Sequence, residues 1–401
     1  MTAQSAKLTA TEPRRVSILG SSGSIGCNTL DLIRRAPGAY RVVALTAQTN
    51  VERLASQAKE FGAELAVIGD ESRLEDLRAA LAGTDIEAAA GREALLEAAA
   101  RPADWVMAAI VGTAGLAPTL QAVRQGAHVA LANKECLVSA GQVFLQEVTA
   151  AGATLLPCDS EHNAIFQVLN QDRYDSVDKI ILTASGGPFL EASMETMRNA
   201  TPAQAVAHPQ WSMGAKISVD SATLMNKGLE LIEAYYLFPV GLERLDVVVH
   251  PQSIIHSMVA YTDGSVLAQL GTPDMRTPIS YTLAWPERMP TPAERLDLAQ
   301  IGQLTFTQPD LQKFPALGLA REALRIGGAA PTILNAANEV AVAAFLAEKI
   351  GFLDIATAVE EVLSDFQGTQ AAEAPSSLAK VLELDDFGRR KAQEWVQKNI
   401  I

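Results

Sequence analysis

Short apolar runs alternate with amphipathic stretches through the first third of the chain. Arg15-Val-Ser-Ile-Leu-Gly20 reads as a buried strand, Asn28 to Arg35 as a helix and Tyr40 to Ala47 as a second strand. Helical spacing returns at Val51–Phe61, Ser72–Leu81 and Gly115–Gln125, and strand patterns at Leu65–Ile68, Trp105–Ile110 and His128–Leu131. This β-α-β-α succession predicts a parallel, doubly wound α/β sheet. Leu155 and Leu156 end a further buried strand, which Pro157 breaks. Beyond it the rhythm changes. Asn163–Leu169 is helical, Lys179–Thr183 is a strand, and a helix capped by Asp220 or Ser221 runs through Ala234. Leu245–His250, Ile254–Ala260 and Val266–Leu270 read as antiparallel strands, the last two joined at Asp263-Gly264. Pro286–Pro315 is proline-rich and strand-poor. Four Ala/Leu/Glu-rich helical stretches follow, at Leu317–Ile326, Ile333–Ala347, Ile355–Leu363 and Leu378–Lys398, and predict a small helical bundle. The expected order is a flexible extension (1–14), a Rossmann-like doubly wound domain (15–158), a central α+β domain (159–285), a linker (286–315) and the bundle (316–401).

Composition narrows the class. A chain of 401 residues, 48% hydrophobic and 19% charged, has the size and balance of a globular enzyme of two or three domains. Its apolar runs carry charges or glycine and are too short to span a bilayer, so a soluble protein with no membrane partner is expected. Residues 1–15 lack the apolar core of a secretory signal. Three cysteines, Cys27, Cys136 and Cys158, show no Cys-x-x-Cys spacing, which fits a reducing cytoplasm. A net charge of −14 argues against a nucleic-acid partner. An anionic substrate would have to be held by local lysines and helix ends, because the overall field repels it.

Four stretches carry candidate chemistry. Gly20-Ser-Ser-Gly23-Ser-Ile-Gly26 lies between a strand and a helix, where glycines let backbone N–H groups meet a pyrophosphate. The spacing is looser than Gly-x-Gly-x-x-Gly, and a plain glycine-rich turn has the same composition. Asn133-Lys134-Glu135 closes the His128–Leu131 strand, where open α/β sheets place ligand contacts; a solvated helix start is the plainer reading. Asp159 and Glu161 stand two apart, so in an extended segment both carboxylates face one side and suit Mg²⁺ or Mn²⁺. A bare Asp-x-Glu is more commonly a solvated acidic turn. A second stretch, Ser218 to Glu230, changes that balance: Asn226, Lys227 and Glu230 share a helix face, offering a third carboxylate and, with Ser221, a phosphate pocket. Ala184-Ser185-Gly186-Gly187-Pro188 is a turn fit to wrap an anion, and His208-Pro-Gln-Trp211-Ser-Met213-Gly214 has the make-up of a lid. His250 and His256 read as packed strand residues rather than ligands.

Together these stretches resemble the 1-deoxy-D-xylulose 5-phosphate reductoisomerase family. Leu-Gly-Ser-Ser-Gly-Ser-Ile-Gly, Leu-Ala-Asn-Lys-Glu, Pro-Cys-Asp-Ser-Glu-His, Thr-Ala-Ser-Gly-Gly-Pro-Phe, His-Pro-Gln-Trp-Ser-Met-Gly, Asn-Lys-Gly-Leu-Glu, His-Pro-Gln-Ser-Ile-Ile-His-Ser and Gln-Leu-Gly-Thr-Pro-Asp-Met-Arg occur in that family's order. The resemblance runs from about Val16 to the C-terminus. It implies a homodimeric NADPH- and metal-dependent enzyme that rearranges and reduces deoxyxylulose phosphate. It also implies metal ligands at Asp159, Glu161 and Glu230, with Lys134 beside them as catalytic residues. Substrate contacts are implied at Lys134, Ser160, Glu161, Ser185, His208, Ser221, Asn226, Lys227 and Glu230, with Trp211 on the lid. Cofactor contacts are implied at Ser22, Gly23, Ser24, Ile25, Asn133, Glu135 and Gly214. Two departures stand out: Ser22 replaces a usual Thr, and Ala47-Gln48-Thr49-Asn50 lacks the cation usual at position 49. Thr49 and Asn50 are then left to bond a 2′-phosphate as neutral donors, next to Gln48. Arg53, one helical turn on, is within reach but reads as an exposed helix-surface arginine, and a smaller preference for NADPH over NADH is expected. The competing readings are a semialdehyde or homoserine dehydrogenase, the first of which needs a catalytic cysteine with a histidine partner, and a non-enzymatic nucleotide sensor or scaffold.

Overall fold

In the computed structural model of the chain, the described residues are 12–211, 213–369 and 374–400, and of 367–369 only the backbone. The extension expected at residues 1–14 and Ser212 of the expected lid therefore lie largely or wholly outside them.

Seven parallel strands form the first sheet: β1 (Arg14–Leu19), β2 (Tyr40–Ala47), β3 (Leu65–Ile68), β4 (Glu87–Ala90), β5 (Trp105–Ala108), β6 (His128–Leu131) and β7 (Thr154–Pro157), in the order β4-β3-β2-β1-β5-β6-β7. Val16, Ile18, Val106 and Val129 are fully buried, as expected of strands covered on both faces by crossover helices. Strand order reverses between β1 and β5, and the crevice beyond their carboxyl ends is where such sheets bind ligands. Strand β4 and the helix Gly91–Ala100 after it are additional to the sequence expectation: Glu87-Ala-Ala-Ala90 has no strand pattern, and β4 forms by pairing with β3.

The second sheet contains β8 (Val177–Ala184), β9 (Leu245–Val249), β10 (Ile255–Tyr261) and β11 (Val266–Leu270), in the order β11-β10-β8-β9. β10 and β11 form the expected hairpin, but β9 runs parallel to β8 and does not touch β10. The residues between β9 and β10 include Ser253 at φ 51° and carry the chain across β8 instead of making a tight hairpin.

The helix expected through residues 220–234 is two helices, Ala215–Ala222 and Met225–Leu237, broken where Leu224 takes φ 60°. Ser221 thus ends one helix and caps nothing, while Asn226, Lys227 and Glu230 lie in the first turns of the next. A Cβ on Gly228 would sit 2.6 Å from that of Ala320, so this glycine lets the second helix pack closely on Pro315–Ile326. Four helices, Pro315–Ile326, Ala330–Leu346, Asp354–Thr369 and Leu378–Lys398, make up the C-terminal region. The helix Arg276–Ala284 falls within the central stretch 159–285 in sequence, yet it packs on the first sheet, where the Trp105 indole donates to the Thr282 carbonyl at 3.0 Å. Residues 286–315 hold one short helix, Leu298–Ile301, and a single bridge from Thr307 to Val249.

Candidate active site

Turns from both sheets and from the helical break converge on one cavity of about 470 Å³. Three of them follow strands of the first sheet: Ser24-Ile25 after β1, Asn133-Lys134-Glu135 after β6 and Asp159-Ser160-Glu161 after β7.

Asp159 is not on an extended segment. It is the N-cap of the helix Ser160–Val168, and its carboxylate accepts the Glu161 N–H at 3.2 Å. Glu161 nevertheless reaches the same place, and one oxygen each from Asp159, Glu161 and Glu230 lie within 4.8 Å of one another. Two buried ammonium groups neutralise them. Lys134 Nζ meets Asp159 Oδ2 at 2.7 Å, Glu230 Oε1 at 2.9 Å and Asn226 Oδ1 at 3.0 Å. Lys227 Nζ meets Glu161 Oε1 at 2.9 Å and also Glu230 Oε2.

Burial alone would lower Lys134, but the charges of Asp159 and Glu230 outweigh it and hold the amine well above its ordinary range. Burial opposes ionisation of Asp159 too, and Lys134 with the His162 hydrogen bond keeps it well below the usual carboxylate range. Glu161 goes the other way: burial and the charge of Glu230 push it up to about 7. Three carboxylates against two ammoniums leave the cluster one positive charge short when all are ionised. A hard divalent cation fits that deficit and that donor set.

Behind Asp159, His162 is wholly buried. Its Nε2–H donates to the Glu230 carbonyl at 2.8 Å, and its Nδ1 faces Asp159 Oδ1 at 3.1 Å and Glu233 Oε2 at 3.2 Å. Burial alone would lower the imidazole, but the Glu233 and Asp159 carboxylates push it up to about 9. Neither His162 nor Glu233 was singled out from the sequence, although Glu233 stands three residues after Glu230 on the same helix face.

The same cavity carries the other anion-binding candidates. The His208 imidazole accepts the Trp211 N–H at Nδ1 (2.9 Å), so Nε2 bears the hydrogen and donates to Ser185 Oγ at 2.8 Å. Burial holds His208 below the ordinary imidazole range, consistent with a neutral ring. Trp211 tilts over His256 with ring centroids 6.1 Å apart. His256, read from sequence as a packed strand residue, also lines the cavity, while His250 donates to the Thr305 carbonyl and stacks on Phe306. Lys216, missed in the sequence although it follows Gly214 by two, joins Glu135 at 3.0 Å to Asp220 at 2.9 Å. Glu135 is therefore a buried ion-pair partner between the two sheets' elements and does not open a solvated helix. Asn133 also lines the cavity, but its carboxamide is committed to the Ile110 and Gly112 carbonyls.

Ser22, Gly23, Gln48, Thr49 and Asn50 lie outside this cavity, on the turns after β1 and β2. The helix Ser24–Arg34 starts at Gly23 with no side-chain cap and no acid in its first turn, leaving N–H groups available to a phosphate. A Cβ on Gly26 would fall 2.4 Å from the Ser21 Cα, so only glycine permits this turn. The turn is clamped by Thr46 Oγ1, which accepts the Gly20 N–H at 2.9 Å, and by Gln57, which pairs with Ser21. The thiols of Cys136 and Cys158 are buried and pushed well up, which leaves neither as a ready nucleophile of the semialdehyde dehydrogenase kind.

Residues 16–141 match the family described as 1-deoxy-D-xylulose 5-phosphate reductoisomerase, residues 155–238 its C-terminal domain, and residues 270–391 the DXP reductoisomerase C-terminal domain. The chain belongs to the 1-deoxy-D-xylulose 5-phosphate reductoisomerase family. It is 59% identical over 388 residues to the reductoisomerase of Caulobacter vibrioides, covering 96% of this chain and 97% of that one. Identity to the Zymomonas mobilis reductoisomerase is 58% over 381 residues, 95% of this chain and 97% of that one. A solved Zymomonas mobilis reductoisomerase in complex with NADPH superposes with a TM-score of 0.91 at 56% identity, over 96% of this chain and all of that one. A second solved reductoisomerase, in complex with NADPH, fosmidomycin and magnesium, gives 0.91 at 46% identity, over 96% of this chain and 98% of that one. Among the described residues no helix is long and apolar enough to cross a membrane.

Proposed function

We propose that this chain converts 1-deoxy-D-xylulose 5-phosphate to 2-C-methyl-D-erythritol 4-phosphate, a step of the non-mevalonate isoprenoid route, using NADPH and a divalent metal. Family membership over nearly the whole chain carries the reaction. One observation carries the residue assignment: Asp159, Glu161 and Glu230 converge beside two buried lysines in the same cavity as the Ser185, Ser221 and Asn226 wall.

Asp159, Glu161 and Glu230 would hold Mg²⁺ or Mn²⁺, which supplies polarisation of the substrate's ketone and hydroxyl oxygens, and NADPH supplies the hydride. Lys134 keeps Asp159 ionised, pairs with Glu230 and stands at the carboxyl end of β6. Ser160, whose hydroxyl donates to Glu161 Oε2 at 2.6 Å, fixes that carboxylate and faces the substrate. Lys227, Asn226, Ser221, Ser185 and His208 take the substrate's phosphate and hydroxyls, and Trp211 covers them so that water is kept from the reacting carbons. Ser22, Gly23, Ser24 and Ile25 would hold the cofactor's pyrophosphate at the helix N-terminus, Gln48, Thr49 and Asn50 its 2′-phosphate side, and Asn133, Glu135 and Gly214 would complete its contacts.

In this reading residues 15–158 form the cofactor domain, 159–285 the catalytic and dimerisation region and 316–401 the supporting bundle. The chain acts as a cytoplasmic homodimer. Free cysteines support the compartment, and the apolar edge of β11, with Val266 53% and Leu267 49% exposed, supports a second copy pairing there. The test is NADPH oxidation on adding deoxyxylulose phosphate. It should stop when metal is chelated and resume with Mg²⁺ or Mn²⁺; oxidation that ignores the chelator, or none at all, overturns the proposal.

A further inference from the structure

At the end of β2 an NAD-binding sheet carries an acid for the ribose 2′-hydroxyl, and an NADP-binding one carries a cation for the 2′-phosphate. Gln48, Thr49 and Asn50 offer neither. Their side chains are also partly committed: the Gln48 carboxamide lies against the backbone of Gly69, and Asn50 Oδ1 accepts the Arg53 N–H at 3.0 Å as the helix N-cap. Arg53 itself is placed differently from an ordinary surface arginine. Its Nη1 reaches across from the first turn of the helix Val51–Phe61 and donates to the Ser22 carbonyl at 3.1 Å, inside the glycine turn that follows β1. Among the described residues it has no carboxylate within ion-pair distance. Arg73, in the short helix after β3, is turned to Asp76 at 3.4 Å.

We infer that Arg53 is the specificity-determining residue for the cofactor's 2′-phosphate, doing from the helix what a cation in the β2 turn would otherwise do. The inference rests on the NADPH reading above. The bond to Ser22 uses one of five guanidinium N–H donors and holds the planar fork over the rim between the turns after β1 and β2, so the remaining donors meet a phosphate already oriented. Thr49, exposed and with no side-chain hydrogen bond among the described residues, adds a neutral donor beside it.

The test compares the intact wild type with Arg53→Gln, Arg53→Lys and the double variant Arg53→Gln/Thr49→Arg, reading the Kd of 2′,5′-ADP, which has the 2′-phosphate, and of 5′-ADP, which lacks it. Arg53→Gln should weaken 2′,5′-ADP by about tenfold or more, leave 5′-ADP within about twofold, and cut the kcat/KM ratio of NADPH to NADH by a similar factor. Arg53→Lys should fall between, and adding Thr49→Arg to the Arg53→Gln variant should restore much of the ratio. Equal weakening of both nucleotides would show that Arg53 only braces the glycine turn, and an unchanged 2′,5′-ADP affinity would show that the phosphate is read elsewhere; either overturns the inference. A wild type that oxidises no NADPH with the sugar phosphate would fail the proposed function, a result separate from these ratios.

Discussion

Glu230 is 1% exposed and its carboxylate meets Lys134, Lys227 and Asn226, whereas Gln48, Thr49 and Asn50 stand in solvent at the end of β2. The two ends of the proposed binding surface are therefore under different constraints. A buried carboxylate without a partner costs several kcal/mol, so every member of the acidic cluster fixes its neighbours' identity and geometry. At the rim each contact is worth about 1 kcal/mol and water replaces what is lost, so the same task can move from a turn residue to a helix residue a turn away. The chemistry is set where substitution is expensive, and cofactor choice where it is cheap.

Breaking the acidic end should give the largest effect. Glu230→Gln keeps the shape but removes one charge and leaves Lys134 and Lys227 short of a partner. Turnover should drop by roughly a hundredfold, with weaker Mn²⁺ binding by calorimetry. Lys227→Ala should act on the substrate side: KM for deoxyxylulose phosphate rises by about ten- to a hundredfold while the Kd of NADPH stays put. An equal loss for NADPH would mean the lysine serves the wrong pocket.

Much of this was legible because charges and glycines mark the buried end. Asp159, Glu161, Lys227 and Glu230 stand out by type and spacing, and the strand–glycine–helix signature located the crevice. What escaped notice was set by tertiary contacts. The break at Leu224 is invisible in a continuous apolar pattern from Val219 to Leu237, yet it brings Ser221 and Glu230 to one cavity from two helices. β9 pairs with β8 rather than with its neighbour in sequence, and β4 is an alanine run that only its partner strand makes extended. Lys216 and His256 are ordinary in sequence and acquire meaning only from Glu135 and Trp211 beside them.

At the rim, effects should be smaller and selective. Thr49→Arg in the wild-type background should raise the NADPH to NADH ratio by only about fivefold, because it supplements Arg53 instead of replacing a missing cation. If the 2′-phosphate is read elsewhere on the chain, the ratio stays unchanged. The smallest effect belongs to the lid. His208 accepts two backbone N–H groups at Nδ1, and burial holds its folded-state pKa below the unfolded one. A lowered imidazole pKa stabilises the folded lid at pH above the unfolded value, and that contribution disappears as pH falls through both. Trp211 fluorescence should therefore shift on mild acidification below about pH 6.5, and a metal-chelating phosphonate that mimics the substrate should suppress the shift. An emission unaffected by either would demote the loop to ordinary surface.

The separation of the two ends is tested most directly by the kcat/KM of NADPH and of NADH, measured side by side in the wild type and in Glu230→Gln. The account predicts that both fall by the same factor, about a hundredfold, and that their ratio does not change. A Glu230→Gln enzyme with near wild-type turnover, or one whose preference between the two cofactors has moved, would contradict it.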